Sequence, residues 1–301
     1  MIVPDKLKKG DIIGVVAPSN PIIGDNIEEI KKAKEIIEAD GFRVKFSKNL
    51  FSNTNIYSGA AKEKAEDINN MFADKDVKMI WCAKGGNNSN STFEYLDFDI
   101  IKNNPKIICG YSDITSITNI ITEKTGLVTF SSTNFKTIAT DETDYSYKHA
   151  LNRFVQGSLG FGQNDFKIIK NGEAEGKLIG GNLSLIRGLV CGKYKVDFTD
   201  KILFIEELGY ESDPAMVSNN LYYMKQNGVF DKIKGLWIGN YEHESGIALE
   251  KIVLDCLEEK YNFPIIKSNN FGHIEKKEVI PIGTKAKIKN GKIELIEKCV
   301  K

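Results

Sequence analysis

The segment Lys106-Ile107-Ile108-Cys109-Gly110-Tyr111-Ser112-Asp113 decides the fold, because it runs from an apolar stretch through a glycine turn into a helical pattern. The apolar start predicts a buried strand, and the apolar periodicity after Asp113 predicts a helix. The same alternation occurs upstream, with predicted strands at 11–18, 42–46 and 78–83 and predicted helices at 27–37 and 61–72. Alternating strands and helices are typical of a parallel sheet covered by helices, so we predict an α/β fold.

Downstream of this region the pattern weakens between residues 133 and 176 and then resumes. Strands are predicted at 201–205 and 235–239, and helices near 147–155, 215–226 and 246–261. Asn290-Gly291, between two alternating runs, is a strong hairpin signal. We therefore predict an N-terminal domain over residues 1–150, a linker over 151–176, and a C-terminal domain over 177–301.

Composition narrows the possible functions. The 301 residues include 41 Lys and Arg and 41 Asp and Glu, so the formal net charge is zero. The chain therefore has no excess of positive charge that would favour nucleic acid or an anionic membrane as a partner. No signal peptide and no long apolar stretch is present, which predicts a cytoplasmic protein. The five cysteines are scattered without a Cys-x-x-Cys pair, so neither a zinc site nor a disulfide framework is expected.

Ser112 is the first candidate for chemistry. A strand, Gly110-x-Ser112 and a helix form the layout of a nucleophile elbow, in which the turn exposes the hydroxyl and the helix N-terminus offers free N–H groups. The α/β-hydrolase elbow would have glycine at position 114, where this chain has Ile114. On pattern alone, a serine at this position is more often a helix N-cap than a nucleophile.

A nucleophilic serine needs a base and an orienting group. Of the three histidines, we interpret His149 as structural or solvated, whereas His243 and His273 both follow predicted strands and are equal candidates. Glu206 and Glu207 end an apolar strand, and because alternate residues face opposite ways only one of them can point into a site. A solvated strand end is the competing interpretation.

The turn Gly85-Gly86-Asn87-Asn88-Ser89-Asn90 admits two interpretations. It could hold a phosphate, but it lacks the ending of a P-loop and the spacing of a dinucleotide fingerprint. Backbone N–H donors beside a nucleophile suit it better.

Together and in order, these segments resemble the LD-carboxypeptidase family of serine peptidases. The resemblance is carried by six segments along nearly the whole chain: 10–19, 64–69, 110–115, 180–184, 203–207, and Gly272-His273 followed by 280–283. It implies a flavodoxin-like or glutamine-amidotransferase-like N-terminal domain and a C-terminal α/β domain with a mixed sheet. It also implies a homodimer that needs no metal and no cofactor.

The resemblance further implies a role for each candidate. Ser112 would be the nucleophile, His273 the general base and then acid, and Glu206 the orienting carboxylate. Backbone N–H groups of Gly86 and Asp113 would stabilise the oxyanion. Asn87 and Asn88 are expected to contact the substrate.

Two substrate classes fit the resemblance. The turn 85–90 is similar to that of the microcin-immunity branch, which cleaves a peptidyl aspartate from a nucleotide-like group. The murein branch instead releases the terminal D-alanine from cell-wall tetrapeptides. The chain has no Trp between Gly126 and Gly176, where the immunity branch carries aromatic residues that stack on the base, so Tyr145, Tyr147 and Phe161 are the available substitutes.

Two other classes of function remain as alternatives. A catalytically silent peptide-binding or nucleotide-binding protein could be built on the same sheet, although the retained serine, glutamate and histidine argue against it. A nucleotide-dependent enzyme would use Gly85-Gly86 as a phosphate loop, and the missing fingerprint argues against that.

Overall fold

Two compact units make up the chain, and the computed structural model describes residues 1–54, 57–162 and 165–301. The first unit contains Met1–Ser158 together with Val279–Pro281 and Cys299–Lys301, and the second contains Leu159–Glu278 and Ile282–Lys298. Both units combine helices with a sheet, as the alternating sequence pattern predicts.

The strands are β1 (Ile12–Val16), β2 (Arg43–Phe46), β3 (Val77–Cys82), β4 (Ile107–Gly110), β5 (Thr129–Ser131), β6 (Lys167–Lys170), β7 (Ala174–Asn182), β8 (Lys201–Glu206), β9 (Gly235–Ile238), β10 (Ile265–Lys267), β11 (Ile280–Ile282), β12 (Lys285–Lys289) and β13 (Lys292–Leu295). The α-helices are α1 (Asp25–Ala39), α2 (Ala61–Ala73), α3 (Phe98–Asn103), α4 (Ile114–Thr125), α5 (Tyr145–Leu151), α6 (Leu183–Arg187), α7 (Pro214–Gln226) and α8 (Leu249–Leu257). A π-helical turn, Asn152–Gln156, continues α5.

The sheet of the first unit has six strands in the order β11-β5-β4-β3-β1-β2. Neighbouring strands from β2 through β1, β3 and β4 to β5 are parallel. The order β2-β1-β3-β4-β5 is that of flavodoxin-like doubly wound sheets, which confirms the predicted fold of the N-terminal half. In such sheets, ligands bind beyond the carboxyl ends of the strands.

The core of the first unit surrounds Trp81, which is fully buried on the central strand β3. Its ring makes edge contacts with Phe135 and Phe154 and lies beside Tyr147. Its indole N–H donates to the carbonyl of Thr133 at 2.7 Å, so the polar atom of this large side chain is satisfied. The strand that leads to the Gly85 turn is therefore firmly held.

The second unit has a seven-stranded sheet in the order β13-β12-β7-β8-β9-β10-β6. Strands β7 to β10 run parallel, whereas β12, β13 and β6 pair antiparallel with their neighbours. The prediction of a mixed sheet is thus confirmed. The predicted hairpin is confirmed as well, because Asn290 and Gly291 connect β12 to β13 with φ values of 52° and 73°, as a type I′ turn requires.

A second tryptophan organises the core of the second unit. Trp237 on β9 is fully buried, and the rings of Phe161, Phe204 and Phe271 pack on it. Its indole N–H donates to Ser268 Oγ at 2.8 Å. The strands β8 and β9, whose carboxyl ends carry the candidate glutamates and His243, thus rest on a well-packed aromatic cluster.

Among the helices in the described ranges, none combines the length and the apolar character needed to cross a bilayer.

Candidate active site

Ser112 lies at a sharp turn between β4 and α4 in the first unit. Its φ of 64° is in the left-handed region, which a serine adopts only when the surrounding structure enforces it. The N-cap position of α4 belongs to Asp113 rather than to Ser112. A strained, non-glycine residue in a strand–turn–helix connection is the geometry of a nucleophile elbow.

Gly110 is needed for this turn. A Cβ at position 110 would stand 2.8 Å from Ile114 Cγ2 and 2.9 Å from Asn134 Oδ1, so a side chain there would displace these groups. The same Asn134 oxygen accepts the backbone N–H of Tyr111 at 3.2 Å. Close packing of Ile114 and Asn134 therefore explains why position 110, two residues before Ser112, is a glycine.

The turn that begins at Gly85 runs alongside Ser112. A Cβ on Gly85 would lie 3.0 Å from Ser112 Cβ and 3.2 Å from Ser112 Oγ, so glycine leaves the hydroxyl uncovered. Gly86 has a φ of 134°, and a Cβ there would overlap the side chain of Asn20. Asn20 Oδ1 in turn accepts the backbone N–H of Asn87 at 3.0 Å. The turn thus brings its backbone, and no side chain at 85 or 86, close to the serine.

The Asp113 side chain is buried and contacts the far end of the same turn. Its Oδ2 accepts the Ser19 hydroxyl at 2.6 Å and the Ser89 N–H at 2.8 Å. Burial raises the pKa of this carboxyl, and the hydrogen bonds from Ser19 and Ser89 partly offset that effect.

Glu206 and His273 form a pair in the second unit. Glu206 ends β8 and is 3% exposed, and its Oε2 lies 2.8 Å from Nδ1 of His273. Burial by itself would lower the pKa of His273, but the charge of Glu206, the hydrogen bond to it and the charge of Glu207 outweigh burial and raise that pKa. The carboxylate therefore holds the ring and favours its charged form.

Gly272 allows this pair to form. Its φ is 115°, and a Cβ at this position would lie 3.1 Å from both Cβ and Oε2 of Glu206 and 3.1 Å from Asn240 Cβ. Any larger residue would press on the carboxylate that holds His273.

Glu207 has a separate set of partners. Its carboxylate accepts the Asn182 amide at 2.7 Å, the Ser184 N–H at 2.9 Å and the Leu208 N–H at 2.9 Å. Burial raises its pKa, which these hydrogen bonds partly counteract. The two neighbouring glutamates therefore serve different contacts, as the alternation of side chains along a strand predicts.

The other two histidines are engaged elsewhere. His243 shares a hydrogen bond of 2.9 Å with Ser245 in its own loop and stacks on Tyr241. His149 Nδ1 accepts the backbone N–H of Val279 at 3.2 Å, and burial together with Arg153 lowers its pKa to about 4. His149 is thus structural, one of the two roles the sequence indicates for it.

The three aromatic residues that could stack on a nucleobase also have contacts within the protein. Tyr147 is 4% exposed and donates its hydroxyl to Asp40, and Phe161 packs edge-on against Trp237. Tyr145 stacks on His149. Tyr147 and Phe161 are therefore packing residues.

The site contains residues that sequence reasoning missed. Ser19 and Asn20 lie a few residues after β1, and their position beyond the carboxyl end of a strand was a signal that could have found them. Lys64, whose Nζ donates to the carbonyl of Asn88 at 2.8 Å, carries no such signal, because a lysine within a helical pattern is ordinarily solvated. Among the described residues, no group of three or more His, Cys, Asp or Glu side chains is arranged to hold a metal ion.

The chain matches two family models. The model of the LD-carboxypeptidase N-terminal domain matches residues 13–132, and that of the LD-carboxypeptidase C-terminal domain matches residues 175–288. Ser112 falls within the first matched range, and Glu206 and His273 fall within the second.

Three relatives illustrate the similarity. YocD of Bacillus subtilis is 32% identical over 94% of this chain and 94% of its own, and the "Probable murein peptide carboxypeptidase" of the same organism is 30% identical over 94% and 90%. The microcin C7 self-immunity protein MccF of Escherichia coli is 28% identical over 94% and 91%. A solved structure of MccF in complex with aspartyl sulfamoyl adenosine matches with a TM-score of 0.90 at 26% identity, covering 100% of both chains.

Proposed function

The chain belongs to the LD-carboxypeptidase family of serine-type carboxypeptidases, and we propose that it hydrolyses an amide with a Ser112-His273-Glu206 triad. The observation that carries the proposal is the buried Glu206–His273 pair, with 2.8 Å between Oε2 and Nδ1. The left-handed conformation of Ser112 supports it from the first unit.

In the proposed mechanism, Nδ1–H of His273 donates to Glu206, which leaves Nε2 as the basic nitrogen. Nε2 accepts the proton of Ser112 as Oγ attacks the carbonyl carbon, and Glu206 stabilises the imidazolium that forms. His273 then returns the proton to the leaving amine. Water repeats the sequence on the acyl-enzyme and frees the serine.

We further propose that the backbone N–H groups of Gly86 and Asp113 donate to the oxyanion. The absence of a side chain at Gly85, where a Cβ would crowd Ser112 Oγ, supports this role because it leaves the carbonyl access to the backbone. Asn87 and Asn88, which continue the turn, are proposed to contact the substrate.

The substrate we propose is a peptidyl-aspartyl conjugate of a nucleotide-like group. The similarity to MccF, which has been solved in complex with aspartyl sulfamoyl adenosine, supports this choice over the full length of the chain. As the resemblance to the family implies, we also propose that the protein acts as a homodimer in the cytoplasm. Size-exclusion chromatography with light scattering would test the dimer.

A murein tetrapeptide that loses its terminal D-alanine is the second candidate. The packing of Tyr147, which is 4% exposed, and of Phe161 against Trp237 favours it, because both rings already pack within the protein. The relative named "Probable murein peptide carboxypeptidase" gives it independent support.

One experiment tests both the proposed triad and the proposed substrate. The purified protein is incubated with a murein tetrapeptide and with a peptidyl-aspartyl sulfamoyl adenosine, and the products are weighed by mass spectrometry. Ser112→Ala, Glu206→Ala and His273→Ala should each abolish hydrolysis without changing the circular dichroism spectrum, while His243→Ala remains active. Cleavage of neither compound by a folded wild type would overturn the proposal.

A further inference from the structure

A lysine buried beside the serine turn is not explained by the proposed triad. Lys64 lies on α2 and is 3% exposed, and its Nζ donates to the carbonyl of Asn88 at 2.8 Å. Asn88 is itself in the left-handed region, with a φ of 75°. A buried ammonium costs free energy unless it is paired, so its position at this carbonyl indicates a specific task.

Asp113 also contacts this turn, and Ser19 contacts Asp113. Asp113 Oδ2 accepts the N–H of Ser89 at 2.8 Å, and Asp113 O accepts the Ser89 hydroxyl at 2.7 Å. Ser19 Oγ donates to the same Oδ2 at 2.6 Å. Asn88 and Ser89, two consecutive residues of the turn, are therefore fixed by the side chain of Lys64 and by Asp113, and Ser19 from a third segment holds Asp113.

The charges of the two ionisable groups support each other. Burial lowers the pKa of Lys64, and the charge of Asp113 counteracts that shift. A buried cation and a buried anion near each other keep both groups charged at lower cost than either alone. The turn thus contacts both ionisable groups.

From these contacts we infer that Lys64, Ser19 and the Asp113 side chain form a clamp that positions the backbone of the turn 85–89 beside Ser112. The inference rests on the proposed function, in which Gly86 N–H is an oxyanion donor. These are positioning residues, because they act on the reaction through the turn. A donor aimed at the transition state loses its effect when it is displaced by a fraction of a hydrogen-bond length.

Lys64→Met tests the clamp, because it keeps an unbranched apolar chain and removes the donor together with its charge. We expect kcat to fall about 10²-fold with KM changed less than about threefold, since the interaction acts in the transition state. The Ki of a peptidyl boronic acid, which forms a tetrahedral adduct with the serine, should rise in parallel. Lys62→Met, on the exposed side of the same helix, is the matched control and should change neither constant.

Hydrogen exchange separates this inference from the proposed function. Without any substrate, the amides of residues 86–89 should lose protection in Lys64→Met while those of the central helix α4 do not. Unchanged protection would overturn the clamp whether or not the protein is an enzyme. An active wild type whose Lys64→Met variant loses only thermal stability would also overturn it.

Ser19→Ala provides a second variant if Lys64→Met does not fold. It removes one hydrogen bond to Asp113 without a change of charge, and we expect a kcat loss of about tenfold with the same pattern of exchange. If the wild type cleaves neither compound but the exchange pattern is as expected, the clamp stands and the proposed function fails.

Discussion

At the scale of single residues, the Glu206–His273 pair determines the pH at which the proposed base can act. Burial opposes protonation of His273, but the charge of Glu206 and the hydrogen bond to it outweigh burial and raise the pKa above its ordinary value of about 6.5. The ring accepts a proton only when neutral, so kcat/KM should rise with pH through this raised pKa.

Glu206→Gln should move that acidic limb to lower pH. The variant removes the charge that raises the pKa of His273, while the maximal rate falls by about 10⁴-fold because the imidazolium is no longer stabilised. The measurement is the pH profile of kcat/KM for both proteins. An acidic limb that stays in place would mean that another group titrates.

Gly272→Ala is expected to damage activity more than stability. The new Cβ would stand 3.1 Å from Glu206 Oε2 and displace the carboxylate from His273, so we expect kcat to fall at least about tenfold. Gly246→Ala is the matched control, because Gly246 also has a positive φ, of 67°, but no atom within 4 Å of its would-be Cβ. Equal activity losses in the two variants would point to backbone strain alone.

Residue-level expectations succeeded where local pattern determines the outcome. Glu206 and Glu207 have different partners because successive side chains at the end of a strand point to opposite faces. This alternation can be recognised in the sequence. The contact of Lys64 with Asn88 joins positions 24 residues apart and depends on the packing of α2 against the turn. No local pattern contains that information.

At the scale of elements, the start of α7 offers a direct test of capping. Asp213 Oδ1 accepts the N–H of Met216 at 2.8 Å, and Pro214 occupies the first helical turn. Asp213→Ala should lower the free energy of unfolding by about 1 kcal/mol in urea titrations. Asn219→Ala, in the exposed middle of α7, should be neutral or slightly stabilising, because alanine is the better helix former. A loss in both variants would contradict the capping role.

The boundaries of helices and strands were predicted best where a turn or capping residue marks them. The hairpin was located by Asn290-Gly291, and α7 begins within one residue of its prediction. The helix expected over 246–261 is shorter, Leu249–Leu257, because Gly246 and Glu258 both adopt left-handed conformations that a helix cannot include. For Glu258, nothing in its residue type predicts this.

At the scale of the whole molecule, we expect protonation of His149 to lower the free energy of unfolding at acidic pH. Its pKa falls to about 4 in the folded chain, against about 6.5 when unfolded, so the unfolded state binds the extra proton between these values. Stability from this group is complete above pH ~6.5 and declines as the pH drops to about 4, by up to about 3 kcal/mol.

The two tryptophans make this measurable for one unit. Trp237→Phe leaves Trp81 as the only tryptophan, so fluorescence in urea reports on the first unit, to which His149 belongs. His149→Asn, whose Oδ1 can accept the Val279 N–H, should flatten the pH dependence, and His243→Ala should not. The same slope in all three proteins would rule His149 out as its source.

Strand β11, near the C-terminus, is the part of the fold that could not be assigned from the sequence. Ile280-Pro281-Ile282 is a short run with a central proline, which is typical of a sheet edge, but nothing local assigns it to the sheet of the first unit. Its pairing with β5 joins segments about 150 residues apart, so only the three-dimensional structure identifies its partner.

This strand has a consequence for biosynthesis. As the chain leaves the ribosome from its N-terminus, β5 emerges with one edge unpaired and stays so until residue 280 has been translated, after most of the second unit. An open edge is a template for pairing with another chain. The interval of translation between β5 and β11 is therefore when neighbouring nascent chains on one messenger could join edge to edge, and slow codons within it would lengthen that exposure.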